Sequence, residues 1–138
     1  MATPRRGEVW LIDFGTAGKT RPALVVSGAF GDQDRALITV IPHTTSLRGS
    51  AFEVAVPVSF LKPGAFLVQG VTTFPTVRAL HRLGALPPEA FAKVFDGLLV
   101  AMFLVDACNP NHDGMPPFEV AETHNMRLLA IKKWLPHP

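Results

Sequence analysis

The stretch that decides the fold is RGEVWLIDFGTAGKTRPALVVS, residues 6–27. It contains two β-rich runs, residues 7–12 and 22–27, and the segment between them is rich in turn residues. Val, Ile and Trp favour strands, whereas Gly marks the turns between strands. The stretch therefore predicts two strands joined by a short loop.

Further β-rich runs follow along the chain, at residues 36–42, 52–58, 65–69, 71–74 and 82–86. The run at 52–58 alternates with period two, which is typical of a half-buried strand, and Gly70 predicts a bend between two runs. The period then changes to that of a helix, whose apolar stripe comprises Phe91, Val94, Phe95, Leu98, Leu99 and Met102. The pattern predicts a mainly β (α+β) fold, a small bent antiparallel sheet or barrel followed by a helix.

Composition indicates a folded protein of one main domain. The chain has 138 residues, of which 48% are hydrophobic and 17% are charged, and its formal net charge is only +2. The single cysteine, Cys108, excludes an internal disulfide, and no segment has the pattern of a signal peptide or a membrane span. We expect a cytoplasmic protein.

The domain is predicted to occupy residues 1–104. Residues 105–138 lose all periodicity and read as a linker and an irregular tail, with a short helix at 123–135. This tail is compatible with a partner-binding segment, a swapped arm, or vector-derived or frame-extended sequence. The residues do not choose among these three.

The sequence contains none of the common catalytic motifs. The five His residues are scattered and the lone Cys lies in the tail, so no metal site is predicted. A phosphate-binding loop, a dinucleotide fingerprint and a nucleophile elbow are also missing from the sequence, so no cofactor is expected.

Two polar stretches remain as candidates for chemistry. One is Lys19, Thr20 and Arg21 at the start of a strand, and the other is IPHTTSLR, residues 41–48, just past a strand. An arginine fork together with hydroxyl donors suits a phosphate. A surface arginine and a solvated hairpin turn would explain the same residues, and residue type alone leaves both interpretations open.

Three segments in order carry a family resemblance: RGEVWLIDFGTAGKTRPALVVS, VIPHTTSLRGSAFEVAV and LVQGVTTFPTVRALHRLGALPPEAFAKVFDGLL. Together they cover about residues 6–103, and they resemble the MazF/PemK-type toxins. The resemblance implies a small SH3-like barrel with a C-terminal helix, which acts as a homodimer. It also implies a sequence-selective, metal-independent endoribonuclease that cleaves single-stranded RNA and is held inactive by a cognate antitoxin.

By motif position, the resemblance implies that Arg21 and Thr44 are the catalytic residues. Cleavage would proceed by attack of the RNA 2′-hydroxyl, leaving a cyclic phosphate and a 5′-hydroxyl. Arg21 would stabilise the phosphorane and donate a proton as an acid. A guanidinium is a poor base, so the identity of the general base is left open. The residues expected to contact RNA are Lys19, Thr20, Thr45, Arg48 and Gln69.

A histidine is a candidate for the open base, because its ordinary pKa suits proton transfer near neutral pH. The two histidines nearest these motifs, His43 and His81, are nevertheless predicted to be surface or interface residues. Strand alternation would point His43 to the face opposite Thr44, and His81 lies on a later strand.

The chain also departs from the family pattern. The loop at residues 13–19 is shorter than usual and lacks the family's Gly-x-Glu-Gln segment with its acidic residue, and Gln69-Gly70 stands where an Asp-Gln pair is common. Two alternatives remain open: a gyrase-poisoning toxin of the CcdB kind, suggested by Trp134, and a barrel that binds RNA or protein without cleaving.

Overall fold

A computed structural model describes residues 3–15 and 19–104 of the chain. Its elements are β1 (Glu8–Asp13), β2 (Thr20–Val25), β3 (Leu37–Thr44), β4 (Glu53–Val54), β5 (Ala65–Leu67), β6 (Thr72–Pro75), β7 (Ala79–Ala85) and α1 (Pro88–Leu99). Short 3₁₀ turns span Val68–Gly70 and Thr76–Arg78, and a π-helical turn spans Val100–Leu104. The predicted tail, residues 105–138, lies outside the described residues. No helix in the described part is long and apolar enough to cross a membrane.

The seven strands form one antiparallel sheet in the order β4-β5-β3-β2-β1-β7, and β6 also pairs with β3. One edge of β3 pairs with β2, whereas its other edge is shared by β6 at the start and by β5 at the end. Within the described residues, β4, β6 and β7 each pair along one edge only, so strand pairing does not close the barrel completely. The predicted mainly β fold with a C-terminal helix is confirmed.

The strand predicted at residues 52–58 is mostly wrong. Only Glu53 and Val54 form β4, which pairs with Leu67 and Phe66 of β5. Pro57 has no N–H to donate to a partner strand, which limits pairing in this segment. The backbone there finds other partners, since the Lys93 ammonium on α1 donates a hydrogen bond to the Ala55 carbonyl at 3.0 Å.

The Glu8 carboxylate ties the start of β1 to its surroundings. It accepts hydrogen bonds from the Arg5 N–H at 2.7 Å, the Trp10 indole at 3.2 Å and the Arg82 guanidinium at 2.8 Å. Burial raises the pKa of Glu8, but these hydrogen bonds outweigh it and hold the pKa below its usual value. The motif Gly-Glu-x-Trp thus joins the N-terminal turn, β1 and β7.

Both faces of the bent sheet are buried. One face carries a cluster of Trp10, Ile12, Ala23, Val25, Ile38, Val40 and Ala79. Residues at the alternating positions, whose side chains lie on the other face, are also fully buried; they include Val9, Leu24 and Ile41. Helix α1 lies against β4 and the turn after β5, because a Cβ on Gly97 would come within 2.9 Å of Val54. The central strands therefore offer mainly apolar side chains to either face.

Candidate functional site

A cleft of about 900 Å³ lies where β2 begins and β3 ends. Its polar lining residues are Arg21, His43, Thr44, Thr45, Ser46, Arg48, Ser50, Glu53, Lys62 and Gln69. Its apolar lining residues are Leu11, Pro22, Phe60, Leu61, Leu67 and Leu83. The cleft therefore combines hydrogen-bonding groups and positive charge with an apolar wall.

The strand register brings Arg21 and Thr44 to the same end of the sheet. Ala23 of β2 stands opposite Pro42 of β3. Arg21 lies two positions before Ala23, and Thr44 lies two positions after Pro42. Because side chains alternate with period two, Arg21 and Thr44 share that face. Arg21 is exposed, and Pro22 behind it is paired with Leu11 of β1. The guanidinium thus extends from a fixed strand into the cleft.

The Thr44 hydroxyl is held in place by the loop that follows β3. Its oxygen accepts a hydrogen bond from the Ser46 N–H at 3.1 Å, and the residue is half-buried. A hydroxyl can accept and donate at the same time. With its oxygen fixed by Ser46, the Thr44 hydroxyl can donate its hydrogen to a ligand in the cleft.

Glu53 orders the loop that carries Arg48. Its carboxylate accepts hydrogen bonds from the Arg48 N–H at 3.0 and 3.1 Å and from the Ser50 N–H at 2.7 Å. Between them, Gly49 adopts a left-handed backbone conformation with φ of 75°. The backbone N–H groups of Arg48 and Ser50 lower the pKa of Glu53. The one carboxylate of the cleft is therefore engaged by the loop itself.

The charged side chains of the cleft are three cations, Arg21, Arg48 and Lys62, and the single anion Glu53. Such an excess of positive charge attracts an anionic ligand. Within residues 3–15 and 19–104, no cluster of three or more His, Cys, Asp or Glu side chains could hold a metal ion.

Lys62 and Glu53 were missed by sequence reasoning. Lys62 belongs to the turn Lys62-Pro63-Gly64, which leads directly into β5, where Ala65 pairs with Thr44. The Lys-Pro-Gly turn is a sequence signal, since a turn before a strand places its side chains at a sheet end.

Five of the seven predicted site residues line the cleft, namely Arg21, Thr44, Thr45, Arg48 and Gln69. Lys19 and Thr20 are exposed but are not among its lining residues. The backbone of Lys19 adopts a φ of 57° and closes the turn after β1, through hydrogen bonds with Gly15 and Phe14. The middle of this loop, residues 16–18, lies outside the described part of the chain.

The structure places His43 on the face opposite Thr44, as predicted, but the predicted surface or interface position is wrong, because its side chain is buried. Only 6% of His43 is exposed, and its ring packs edge-on against Phe66 with ring centroids 5.0 Å apart. Burial lowers the pKa of His43. His81, in contrast, is exposed on β7 and lines a separate, smaller cavity beside Trp10 and Arg82.

A bent antiparallel sheet with a cationic, hydroxyl-rich cleft at its strand ends defines a small β protein suited to an anionic ligand. Sequence comparison gives the family. The chain belongs to the PemK-like, MazF-like toxins of type II toxin–antitoxin systems, whose family model matches residues 5–102.

Solved structures agree with this assignment. A MazE–MazF complex from Deinococcus radiodurans is 26% identical and superposes with a TM-score of 0.64, covering 75% of this chain and 98% of that chain. An endoribonuclease from a mycobacterial species, in complex with its cognate antitoxin, is 25% identical with a TM-score of 0.63, covering 72% and 94%. The family resemblance seen in the sequence is thereby confirmed.

Proposed function

We propose that this member of the toxin family is a metal-independent endoribonuclease that cleaves single-stranded RNA in the cleft. The observation that carries the proposal is the placement of Arg21 and Thr44 on one sheet face, at the end where the cleft opens. Support comes from the similar mycobacterial protein, which is named an endoribonuclease. The reaction is attack of the 2′-hydroxyl on the adjacent phosphorus, which leaves a cyclic phosphate and a 5′-hydroxyl.

Arg21 and Thr44 stabilise the charge that develops on the phosphorane. The Arg21 guanidinium presents a planar fork of N–H donors that matches two phosphate oxygens. The Thr44 hydroxyl, whose oxygen is already engaged by Ser46, donates its hydrogen to a phosphate oxygen. Hydrogen-bond donors that are held in place and aimed at the developing charge supply much of the rate enhancement in such reactions. Losing one donor typically costs roughly 10²–10³ in rate.

The rest of the cleft holds the RNA strand on either side of the scissile phosphate. Arg48 and Lys62 are placed to contact neighbouring phosphates, while Thr45 and Gln69 offer hydrogen bonds. The Phe60 ring on the apolar wall offers a surface on which a base can stack. Exposed residues Lys19 and Thr20 lie next to Arg21, and we assign them contacts with RNA beyond the cleft.

Two protein partners complete the proposal. An acidic antitoxin segment would cover the cationic cleft and exclude RNA, as expected for a protein similar to toxins solved with their antitoxins. A second copy of the chain would cover the exposed apolar residues Val77 and Leu80, which line the same shallow cavity. RNA and antitoxin both meet the toxin in the cytoplasm, so we place its action there.

The test is cleavage of a long mixed-sequence transcript in the presence of EDTA. We expect discrete fragments with 5′-hydroxyl ends from the wild type, and none at the same enzyme concentration from Arg21→Ala or Thr44→Ala. Arg35→Ala is the matched control, because Arg35 is exposed and does not line the cleft. A folded wild type that leaves RNA intact, with or without added Mg²⁺, would refute the proposal and favour a non-cleaving toxin.

A further inference from the structure

His43 is a buried polar side chain at the wall of the cleft. It lies on β3 directly before Thr44, and 94% of its surface is covered, since only 6% is exposed. Phe66 packs edge-on against its ring, and a Cβ on Gly64 would come within 2.8 Å of its Cε1 atom. The imidazole is thus held on two sides by β5 and the turn before it.

No hydrogen bond from within residues 3–15 and 19–104 engages the His43 ring. A buried polar group without a partner is costly, so such groups are rare in folded proteins. In the same part of the chain, no side-chain nitrogen or oxygen is both sealed from solvent and without a partner. Each ring nitrogen of His43 must therefore keep some contact with solvent, and His43 is one of the lining residues of the cleft.

We propose that His43 is the general base that takes the proton of the RNA 2′-hydroxyl, an assignment that rests on the proposed ribonuclease activity. Neither Arg21 nor Thr44 can do this well, because a guanidinium is a poor base and a hydroxyl is weakly basic. A neutral imidazole has one unprotonated ring nitrogen that can accept a proton. His43 is the only histidine among the cleft's lining residues in the described part of the chain.

The 2′-oxygen forms a bond to phosphorus as its proton moves to an imidazole nitrogen of His43. The bond from phosphorus to the 5′-oxygen breaks, and this oxygen takes a proton from water in the open cleft. Arg21 stabilises the negative charge on the phosphorane throughout. Loss of the proton from the imidazolium to the resulting hydroxide restores neutral His43, and no metal or redox partner enters.

The environment of His43 keeps the imidazole neutral before RNA binds. Burial lowers its pKa, which disfavours the charged form at neutral pH. The charged groups on the other walls of the cleft are Arg21 on β2, Arg48, Lys62 and the carboxylate Glu53. Three cations against one anion also disfavour a positive imidazolium, while the phosphate of the substrate compensates for it once the proton arrives.

Single-turnover cleavage measured from about pH 5 to about pH 9 tests the assignment. The base must be unprotonated, so wild-type rates should fall as the pH drops through the pKa of His43. In His43→Gln we expect a rate loss of roughly 10²–10⁴ and disappearance of this acidic limb. His81→Gln, the matched control at an exposed histidine outside the cleft, should keep both the rate and the limb.

Two further measurements separate catalysis from folding. An RNA with a 2′-deoxy substitution at the cleavage position cannot react, and His43→Gln should bind it within a few-fold of the wild type. In the wild type, the pKa of His43 from an NMR titration should match the acidic limb of the rate profile. A mismatch would overturn the assignment even if His43→Gln failed to fold.

The outcomes also separate this inference from the proposed function. If the wild type cleaves RNA and His43→Gln keeps the rate and the acidic limb, only the assignment of the base is wrong. If His43→Gln changes the RNA sequence that is cut but keeps the limb, His43 reads a base and the assignment is likewise wrong. If the wild type cleaves no RNA at all, both proposals are wrong.

Discussion

The Gly64 backbone lies so close to Thr44 that a Cβ at position 64 would collide with the Thr44 carbonyl oxygen. The same Cβ would come within 2.8 Å of His43 Cε1. These contacts are backbone and a buried ring, so neither can move aside without shifting β3. Gly64 therefore fixes how closely the turn before β5 approaches the end of β3, where two proposed catalytic residues lie.

Replacing Gly64 with Ala should displace Thr44 and His43 together. We expect a loss of stability of roughly 1–3 kcal/mol, the usual cost of overpacking, and a lower kcat with a smaller change in KM. Chemical denaturation and single-turnover cleavage measure the two effects. Gly31→Ala is the control, because a Cβ there meets only the Asp34 side chain at an ordinary 3.7 Å. Wild-type stability and rate in Gly64→Ala would show that the end of β3 is not fixed in this way.

Much of the fold could be predicted from sequence because local pattern dictates it. The β-rich runs at residues 7–12 and 22–27, bounded by turn residues, became strands, and the helical apolar stripe became α1 as far as Leu99. The run at 52–58 also alternates, yet only two of its residues pair, because pairing depends on a partner strand that β5 provides only briefly. Period two indicates which side is buried, not whether a partner strand exists.

The site was only partly predictable for a related reason. Arg21 and Thr44 follow from the family resemblance, and the register of β2 and β3 then places them together. Glu53 reaches the cleft through the β4–β5 pairing, which no local pattern reports, whereas Lys62 reaches it through the turn before β5, which the Lys-Pro-Gly sequence does indicate. Alternation assigned His43 to the face opposite Thr44, where it does pack on Phe66, but it could not show that β5 and the turn before it bury this face.

Lys62 should contribute affinity rather than chemistry. Its ammonium is an exposed cation on the cleft wall, suited to a phosphate of the bound strand. We expect Lys62→Ala to weaken RNA binding, and to reduce the slope of log K against log salt by about 0.7, the value for one phosphate contact on a single strand. Binding of a non-cleavable RNA across a salt series measures this. Arg35→Ala should leave the slope unchanged, and an unaltered slope in Lys62→Ala would place the lysine outside the RNA path.

The Glu53 carboxylate should order the loop around Arg48. Removing it in Glu53→Ala takes away the acceptor for the Arg48 and Ser50 N–H groups, so their amide hydrogens should exchange faster. A mobile Arg48 should raise KM more than it lowers kcat. Glu53→Gln, which keeps one acceptor oxygen, should recover part of the protection. Unchanged exchange in Glu53→Ala would mean that the loop is held by other contacts.

The pKa of Glu53 gives this loop a predicted pH dependence. Hydrogen bonds from the Arg48 and Ser50 N–H groups lower the pKa in the folded state from its ordinary 4.5. The carboxylate therefore contributes its full stabilisation above about pH 4.5 and loses it as the pH falls through the lower, folded-state pKa. Exchange protection of the Ser50 amide should decline over that acidic range in the wild type. Glu53→Ala should lack the decline, and a pH-independent Ser50 amide in the wild type would contradict the prediction.

Leu80 should govern assembly of two copies of the chain. Its side chain is 50% exposed and that of Val77 is 77% exposed, and both line a shallow cavity beside Trp10. Apolar groups left in water at one place are stabilised by a partner surface, and a second copy provides the same patch. We expect a dimer for the wild type and a folded monomer for Leu80→Asp, measured by sedimentation equilibrium. Leu47→Asp, at an equally exposed leucine outside this cavity, should remain dimeric. A wild type that stays monomeric at high micromolar concentration would refute the dimer, and a dimeric Leu80→Asp would move the interface elsewhere.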